Sequence, residues 1–438
     1  MNVHIYTLGC KLNQCESEAI ADSFTHHGFD VVNSSTPADL YIINTCTVTS
    51  KAEQKARRMI RKFASQEHHP TVLVTGCYAQ MEKEELESIA SKIVVVSLDD
   101  KPSLLQLPLY LRNAHIAQLE LYDAVFTFAQ EHNAVEVSPF EYDAASFSFH
   151  SRAFVKIQDG CDNQCAFCRV SVARGKARSL HHDDVLKRIE LLQQEGLKEV
   201  VLTGVNISAY ESEHIDLATL LQRLLDSIGD DVRIRLSSLE PDRLDDKLIE
   251  VCRDPRVQPH FHLPIQSASN VVLQRVNRHY DVKRLYDAFA QLRSVKDDPF
   301  IAADVIAGLP AEDDVEFEKS FEVLQQLDVS QLHVFPYSPR PQTDLYDATD
   351  RSPEYVRDQR AKRLRDLSHI HYRRYVNRHV DKQVEVILEK QHGKMWKALS
   401  SNYIHLWVED LSSNYQRGDL VNVTLSSTFV DHLPVATA

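Results

Sequence analysis

The sequence predicts an α/β protein of three parts: an N-terminal parallel α/β sheet domain, a central partial TIM-like (βα)6 barrel and a small C-terminal OB-like β-barrel. Three observations lead to this prediction. Strand-like runs alternate with helical stretches over residues 1–135, six strand–helix units follow over residues 145–375, and residues 378–438 alternate in β fashion. Alternating strands and helices are typical of parallel sheets covered by helices, whereas many short strands are typical of barrels.

The composition is that of an ordinary globular chain with one anomaly. Hydrophobic residues make up 43% and charged residues 26% of 438 residues, which excludes collagen-like and disordered classes. The net charge of −14 excludes a polybasic protein, so an RNA partner must be held by local basic patches. Glycine is the anomaly, with 11 residues where about 31 are expected at a frequency of about 7%.

The eight cysteines are too sparse for a disulfide framework. The N-terminus, MNVHIYTLGCKLNQ, lacks the basic and apolar regions of a secretory signal, and no apolar run is long enough to span a membrane. We therefore expect a cytoplasmic protein without a membrane partner. In that reducing compartment, clustered cysteines indicate metal or redox chemistry.

Three predicted strands of the first part each end at a cysteine. The strand runs are VHIYTLG, DLYIINTC and TVLVTGC, with KIVVVSL as a fourth, and helical stretches separate them. Cys10, Cys46 and Cys77 therefore fall at the carboxyl ends of strands, where parallel α/β sheets bind ligands. The alternative is three unrelated buried thiols, because cysteine is commonly buried. Further along, PLYLRNAHIAQLELYDAVFTF is expected to hold one helix and one strand.

The central part contains six strand candidates, AFVKIQ, EVVLTG, VRIRLSS, HFHLPIQ, IAADVIAG and QLHVFPYS, with helical patterns between them. Active-site residues of such barrels lie at the carboxyl ends of the strands. A basic stretch follows, in which residues 357–378 include eight Lys or Arg and two Asp or Glu. It is either a solvated helix face or a patch for RNA phosphates. The last part has no basic excess that supports RNA binding.

The segment FVKIQDGCDNQCAFCRV places Cys161, Cys165 and Cys168 in a C-x3-C-x2-C pattern directly after the first barrel strand. Structural zinc sites need four protein ligands, usually in two close pairs. Three thiolates without a nearby fourth suit a [4Fe–4S] cluster with one iron open to a further ligand. The alternative is a zinc site completed by a distant His181 or His182.

This motif resembles the radical S-adenosylmethionine (SAM) superfamily, and the three-part chain resembles its methylthiotransferase family. The resemblance implies that the catalytic residues Cys161, Cys165 and Cys168 hold a [4Fe–4S] cluster that binds SAM. It also implies a second [4Fe–4S] cluster on the three strand-end cysteines and an RNA-binding TRAM domain at the C-terminus. Cys15 and Cys252 receive no role.

The N-terminal signatures TLGCKLNQCESE, NTCTVTSKAEQKARRMIR and TGCYAQ are similar to one branch of that family. This branch transfers a methylthio group to carbon 2 of N6-threonylcarbamoyladenosine 37 in tRNA. Two alternatives keep the chemistry and change the substrate, to isopentenyladenosine in tRNA or to an aspartate of a ribosomal protein. A third alternative is a non-catalytic Fe–S protein that binds RNA.

The resemblance also implies contacts and partners. Candidate SAM-binding residues lie in the cysteine motif and at strand ends: Phe167, Gly204, Asn206, Ser238, Glu240, Gln266 and Asp304. The alternative for each polar residue is that its side chain makes a hydrogen bond with a purely structural function. The expected partners are SAM, the tRNA anticodon stem-loop and a small electron-donor protein such as a flavodoxin or ferredoxin. Phosphate contacts are expected from basic residues near the strand ends: Arg57, Arg58, Arg61, Arg174 and Arg178. For the first three of these, the alternative is a solvated helix face.

The chain departs from the family at three glycines. Where the family commonly reads QSGS, GFPGE and RPGT, this chain has Ala268, Ala311 and Gln342 in place of the glycine. Glycine matters where φ is positive or where a ligand approaches the backbone closely. We therefore expect backbone strain in a SAM-side loop at Ala268 or Ala311.

Overall fold

A computed structural model describes residues 1–33, 35–116, 118–132, 138–142, 151–409, 411 and 414–437. The chain separates into two compact units. The first comprises Met1–Phe149, Lys156–Leu180 and Ser338–Tyr346, and the second comprises His150–Val155, His181–Tyr337 and Asp347–Ala438. The three predicted domain ranges remain a prediction, and their boundaries at residues 135 and 145 lie outside the described residues.

The first unit is built on a five-stranded parallel sheet in the order β2-β1-β3-β4-β5. Its strands are β1 (Asn2–Thr7), β2 (Asp30–Val31), β3 (Leu40–Thr45), β4 (Thr71–Gly76) and β5 (Ile93–Val95). This confirms the parallel sheet predicted for the N-terminal part. Successive side chains point to opposite faces, so Ile42 packs in one core and Tyr41 and Ile43 in another. Burial on both faces explains why these strands read as continuous apolar runs.

Six α-helices accompany this sheet in the first unit: α1 (Lys11–His26), α2 (Ser50–Ala64), α3 (Cys77–Met81), α4 (Lys83–Glu87), α5 (Leu107–Ile116) and α6 (Leu121–Glu131). Phe24 of α1 and Phe128 of α6 pack in the core that contains Ile42, whereas Ile60 and Phe63 of α2 pack in the other. The stretch predicted as one helix and one strand therefore forms two helices, α5 and α6. Apolar packing of α6 overrides the strand propensity of its Tyr, Val and Phe residues.

The remaining elements of the first unit surround the C-x3-C-x2-C segment. After β6 (Ala153–Lys156) come β7 (Gln158–Asp159), α7 (Val170–Arg174) and β8 (Arg178–Ser179), and β7 pairs antiparallel with β8. The cysteine segment is the loop between β7 and α7. The sequence motif therefore maps onto a short hairpin-like excursion after the first predicted barrel strand.

The second unit contains two three-stranded sheets, in the orders β12-β9-β6 and β13-β14-β15. Their further strands are β9 (Glu199–Thr203), β12 (Arg233–Leu236), β13 (His260–Gln266), β14 (Phe300–Ala307) and β15 (Gln331–Pro336), and a short hairpin adds β10 (Glu211–Ser212) and β11 (Ile215–Asp216). All six predicted strands are present. The pairs β9–β12, β13–β14 and β14–β15 run parallel, and a single parallel bridge between Ser238 and His262 joins the two sheets.

Helices connect these strands: α8 (His182–Gln194), α9 (Leu217–Ser227), α10 (Asp246–Val251), α11 (Asn270–Arg275), α12 (Val282–Val295), α13 (Asp314–Gln326) and α14 (Glu354–Arg378). Five of them begin where a side-chain oxygen accepts a first-turn N–H, at Asp216, Asp245, Ser269, Asp281 and Asp313. The α/β class with parallel sheets is thus confirmed.

The C-terminal residues form five strands: β16 (Gln383–His392), β17 (Met395–Ser400), β18 (His405–Glu409), β19 (Leu420–Val430) and β20 (Leu433–Thr437). They pair in the cyclic order β16-β17-β18-β20-β19, and β19 also pairs with β16. Val386, Leu406 and Val423 fill the interior together with Phe300 and Tyr375 of the same unit. Among the described residues, no helix combines the length and apolar character needed to cross a bilayer.

Candidate functional site

The three strand-end cysteines follow three adjacent strands of the first sheet. Cys10 precedes α1 after β1, Cys46 follows β3, and Cys77 begins α3 after β4. Burial raises the pKa of the Cys46 thiol to about 12, and the charges of Cys10 and Cys77 add to this rise. The three thiols therefore lie close enough to affect one another. Cys46 and Cys77 are buried, and although Cys10 is exposed as a residue, burial raises the pKa of its thiol as well.

Glycine occupies two positions at this edge of the sheet where a side chain would not fit. Gly9 and Gly76 have φ of +107° and +97°. A Cβ atom on Gly9 would lie 2.9 Å from Cβ of Cys46, and one on Gly76 would lie 2.5 Å from the carbonyl oxygen of Thr45. Any larger residue at either position would collide with the cysteine-bearing strand ends.

A buried charged network lies against these thiols. Arg174 donates from Nε to Sγ of Cys77 at 3.3 Å and from a terminal nitrogen to Asp159 at 3.0 Å and Glu16 at 3.2 Å. Lys156 bonds Glu16 at 2.9 Å, and Lys101 bonds the same carboxylate. These cations hold the pKa of Glu16 well below its usual range, against the opposing effect of burial, and lower that of Asp159 to about 2.

Among the described residues, this network joins three cations to two carboxylates. Arg174, Lys101 and Lys156 pair with Glu16 and Asp159, and all five side chains are at most 5% exposed. A buried net positive charge is costly unless an anion lies nearby. Thiolates at the neighbouring cysteines supply such an anion, so the charge of the network fits a group bound through cysteine sulfur.

The C-x3-C-x2-C segment forms a compact loop in the same unit. The Cys161 N–H donates to the carbonyl of Gly175 at 3.0 Å, and the Cys168 N–H donates to that of Cys165 at 3.0 Å. The Val170 N–H donates to Sγ of Cys168 at 3.4 Å. Burial raises the pKa of Cys168 to about 12, with contributions from the charges of Cys165 and Cys161. The three thiols are therefore mutual neighbours on a hydrogen-bonded loop.

A second ionic contact ties this loop to α2. Arg169 donates to Glu53 at 3.2 Å and to Thr47 at 3.1 Å, and its other terminal nitrogen bonds Glu82 at 2.5 Å. Arg340, from the segment Ser338–Tyr346, bonds Glu53 as well. Both sets of three cysteines consequently belong to one compact unit, braced by buried ion pairs.

The zinc alternative requires cysteine and histidine ligand atoms that lie close to one another. Sulfur ligands of one tetrahedral zinc ion lie about 3.8 Å apart, given a Zn–S distance of about 2.3 Å. Among the described residues, the only three side chains whose ligand atoms all lie within 4.8 Å are His181, His182 and Glu213, without any cysteine. No cysteine belongs to that group, which counts against the zinc alternative. Cysteine thiolates are the usual ligands of [4Fe–4S] clusters.

The predicted SAM-binding residues of the second unit lie at or near strand ends. Gly204 and Asn206 follow β9, Gln266 ends β13, and Asp304 lies inside β14 rather than at its end. Glu240 follows β12, and its carboxylate is already bonded to Arg278. Phe167 belongs to the first unit, between Cys165 and Cys168. Their role as SAM contacts stays a prediction.

His262 connects two of these residues, a function that sequence reasoning did not assign to it. Its Nδ1 lies 3.0 Å from the Ser238 hydroxyl, and its Nε2 lies 2.8 Å from Oδ1 of Asp304. Asp304 can only accept, so Nε2 carries a proton and Nδ1 accepts from Ser238 when the imidazole is neutral. The alternation along β13 was the available signal, because His262 and Gln266 share the less buried face while Phe261, Leu263 and Ile265 are buried.

The predicted phosphate-binding arginines divide into two groups. Arg174 is only 4% exposed and belongs to the buried network, so that prediction is wrong for it. Arg57 bonds Tyr78 and Glu85 within its own unit. Arg58, Arg61 and Arg178 are exposed, and no ion pair to any of them is formed within the described residues.

Two family models match the chain. Residues 2–97 match the model described as "Uncharacterized protein family UPF0004", and residues 155–324 match the "Radical SAM superfamily". The second match confirms the predicted radical SAM domain. The first covers the sheet that contains Cys10, Cys46 and Cys77.

Curated relatives cover most of the chain. The threonylcarbamoyladenosine tRNA methylthiotransferase MtaB of Treponema pallidum is 36% identical, over 92% of this chain and 94% of the relative. The Bacillus subtilis protein of the same name is 33% identical, over 92% and 89%. The tRNA-2-methylthio-N(6)-dimethylallyladenosine synthase of Anaeromyxobacter dehalogenans is 33% identical, over 81% and 74%.

Among solved structures, the radical SAM methyltransferase TsrM of Kitasatospora setae, with cobalamin and a [4Fe–4S] cluster bound, superimposes with a TM-score of 0.53. The match covers 79% of this chain and 77% of that one, at 12% identity. At such low identity the similarity shows a common fold only.

Proposed function

The chain belongs to the threonylcarbamoyladenosine tRNA methylthiotransferase family, and from that premise we propose how its own residues carry out the reaction. It is a radical SAM enzyme of tRNA modification that transfers a methylthio group to carbon 2 of N6-threonylcarbamoyladenosine 37. The observation that carries the residue assignment is the presence of two three-cysteine sets in one compact unit.

In this proposal Cys161, Cys165 and Cys168 hold the [4Fe–4S] cluster that binds SAM, and the three strand-end cysteines hold a second one. The bound clusters and SAM supply the electron, the radical chemistry and the sulfur that the side chains themselves cannot provide. Cys46 and Cys77 are each less than a tenth exposed, which keeps bulk water from them.

Within the second unit, the polar chain Ser238–His262–Asp304 is proposed to bind SAM together with Gly204, Asn206, Glu240 and Gln266. Phe167, in the first unit, is a separate candidate that follows from the family resemblance. Asp304 fixes the His262 ring, and the Ser238 hydroxyl keeps lone pairs that can accept from a ligand hydroxyl or amine. Gln266 has φ of +60°, so its backbone is held in a conformation unusual for a residue with a side chain.

The surface of α2 supports the proposed contact with tRNA. Lys51, Lys55, Arg58 and Lys62 recur at helical spacing and are all exposed. The only acidic residue of α2, Glu53, is on its buried side. Within the described residues these four cations form no ion pair, so they remain available to phosphates. We call these four residues the α2 stripe.

Three further parts of the proposal follow from the family. The C-terminal strands form an OB-like TRAM barrel that binds RNA, and a small flavodoxin- or ferredoxin-type protein donates the electron. Because the substrate is tRNA, we expect the reaction in the cytoplasm.

A turnover assay tests the proposed function. Anaerobically reconstituted protein is mixed with SAM, a reductant and threonylcarbamoylated tRNA, and 5′-deoxyadenosine and the methylthio nucleoside are quantified by mass spectrometry. We expect both products and about eight irons per chain. Cys161→Ala should abolish both products, whereas Cys15→Ser, at a buried cysteine outside both sets, should abolish neither.

Isopentenylated tRNA serves as the competing substrate in the same assay, since a relative named for dimethylallyladenosine is also 33% identical. Methylthiolation of that tRNA in preference to the threonylcarbamoylated one would overturn the substrate assignment. Protein that holds iron and RNA but never forms 5′-deoxyadenosine would overturn the enzyme assignment.

A further inference from the structure

We propose that Arg174 is a positioning residue that acts on both cysteine sets and raises the reduction potential of the cluster held by Cys10, Cys46 and Cys77. The inference rests on the proposed function, because it needs a cluster at those cysteines. It concerns a residue whose sequence context suggested a phosphate contact and whose side chain is buried instead.

The position of Arg174 in the chain places it between the two sets. It is the last residue of α7, six residues after Cys168. Its Nε donates to Sγ of Cys77 at 3.3 Å, while the carbonyl of the next residue, Gly175, accepts from the N–H of Cys161 at 3.0 Å. One dipeptide thus contacts one ligand of each set, through the side chain in one case and the backbone in the other.

The guanidinium group has little freedom to rotate. One terminal nitrogen bonds Asp159 and Glu16, and the other bonds Oδ1 of Asn13 at 2.9 Å. The same Oδ1 of Asn13 lies 3.9 Å from Sγ of Cys10, and its Nδ2 donates to the carbonyl of Thr45 next to Cys46. The planar fork of arginine matches these directions, and a lysine ammonium cannot occupy all of them.

A fixed cationic donor at a thiolate favours the more negative, reduced form of a cluster, because hydrogen bonds to the sulfurs and nearby charge set the potential. Arg174 is also one of three buried cations that, among the described residues, pair with two carboxylates. Its loss should therefore lower the reduction potential of that cluster.

The test isolates this cluster in a Cys161→Ala, Cys165→Ala, Cys168→Ala background. Three variants are reconstituted in this background: Arg174→Gln, Arg174→Lys and a double variant that combines Glu16→Gln with Arg174→Gln. For each, the iron content is measured, and an EPR-monitored titration gives the midpoint potential. The double variant removes one charge of each sign, which guards against unfolding caused by an uncompensated carboxylate. Arg178→Gln, an exposed arginine four residues further on, is the matched control.

We expect about four irons per chain, a lowered potential in Arg174→Gln and the double variant, a smaller decrease in Arg174→Lys, and none in the control. In the protein that retains the six cysteines of the two sets, hydrogen exchange at the Cys161 amide should be faster in Arg174→Gln than in Arg178→Gln. Unchanged potentials at normal iron content would overturn the proposal for Arg174 alone. Absence of iron from the parent protein would instead overturn the proposed function.

Discussion

At the scale of single residues, Ala311 and Gln342 show where the scarcity of glycine has a physical cost. Both have φ of +64°, a backbone conformation that glycine adopts without strain. The left-handed conformation costs an L-residue roughly 1–2 kcal/mol, partly offset because glycine loses more entropy on folding. We expect Ala311→Gly and Gln342→Gly each to raise the free energy of unfolding by about 0.5–1 kcal/mol in urea denaturation.

Ala268 provides the control, because the prediction of backbone strain at this residue is wrong. Its φ is not positive, it is 1% exposed, and its N–H donates to the Ser320 hydroxyl at 3.1 Å. Ala268→Gly should therefore lower the free energy of unfolding by roughly 0.5–1 kcal/mol. A stabilising effect at Ala268, or destabilisation by Ala311→Gly, would contradict this account.

Glu312 predicts a pH dependence of stability. Burial raises the pKa of its carboxyl group from 4.5 to about 7, although Arg360 and the Gly308 N–H oppose the rise. An acid whose pKa is raised by folding stabilises the folded state below about pH 4.5, and this contribution is lost as the pH rises through 7. At 1.36 kcal/mol per unit, the decrease is roughly 3 kcal/mol.

Stability measured by urea denaturation between pH 4.5 and 8 checks this prediction, with Glu312→Gln for comparison. The difference between wild type and Glu312→Gln should change across this range in the stated direction. Asp314→Asn, which alters an exposed carboxylate that also bonds Arg360, should leave the pH profile unchanged. A profile of Glu312→Gln parallel to that of the wild type would contradict the raised pKa.

Sequence pattern located the cysteines but missed the residues that support them. Cys161, Cys165 and Cys168 are close in the chain, and Cys10, Cys46 and Cys77 each end a strand, whereas their role as cluster ligands came from the family resemblance. Arg174 contacts Glu16 and Cys77, which are far away in sequence. Its burial depends on how β7 and α7 pack within the unit, and no local periodicity reports that.

At the scale of elements, α2 is both a packing helix and an anchor. Its Thr49 cap accepts from the Ala52 N–H at 3.2 Å, and Ala56, Ile60 and Phe63 bury its apolar side. On that side Glu53 accepts from Arg169 and from Arg340. The two segments that these arginines belong to, the C-x3-C-x2-C loop and Ser338–Tyr346, are consequently held by one carboxylate.

Removing that carboxylate should be strongly destabilising. Glu53→Gln leaves Arg169 and Arg340, whose side chains are 1% and 4% exposed, without their shared counter-charge. Breaking a buried ion pair costs about 3–5 kcal/mol. We expect a decrease of that order in urea denaturation, with faster hydrogen exchange in residues 161–174 and 338–346.

Glu82→Gln is the matched control for Glu53. Within the described residues Glu82 pairs only with Arg169, and its side chain is 35% exposed, so solvent screens its contact. Its loss should cost at most about 1 kcal/mol. Equal destabilisation by the two variants would show that Glu53 has no special function as a shared anchor.

The second unit shows what element-level prediction misses. Periodicity placed the basic helix α14 correctly, yet it left open whether its charge faces solvent or RNA. Six of its eight cations are engaged within the unit: Arg357, Arg360, Lys362, Arg363, Arg374 and Arg378. Only Arg365 and Arg373 are exposed without an ion pair in the described part of the chain. Most of these partners come from α13 and from loops elsewhere in the unit, which made them invisible to local sequence patterns.

At the scale of the whole molecule, a net charge of −14 must be reconciled with a polyanionic substrate. Repulsion from the chain as a whole weakens non-specific RNA binding, so productive contacts must come from surfaces where cations lack acidic neighbours. The α2 stripe is such a surface, and it begins five residues after Cys46. Lys51, in the first helical turn, opposes the helix dipole, which indicates that helix stability alone did not select it.

Replacing the stripe should weaken tRNA binding without unfolding the protein. The quadruple variant carries Lys51→Gln, Lys55→Gln, Arg58→Gln and Lys62→Gln. Each phosphate contact that it loses reduces the slope of log affinity against log salt concentration by about 0.7–0.9. We expect a slope shallower by roughly 2–4 and at least about tenfold weaker binding at moderate salt. Fluorescence anisotropy across a salt series measures both. Arg365→Gln, Arg373→Gln on α14 is the control and should change the slope by less than about one, because most charge on that helix is used internally. A larger change in slope and affinity from the α14 substitutions than from the α2 substitutions would indicate that the RNA-binding surface lies on the second unit instead.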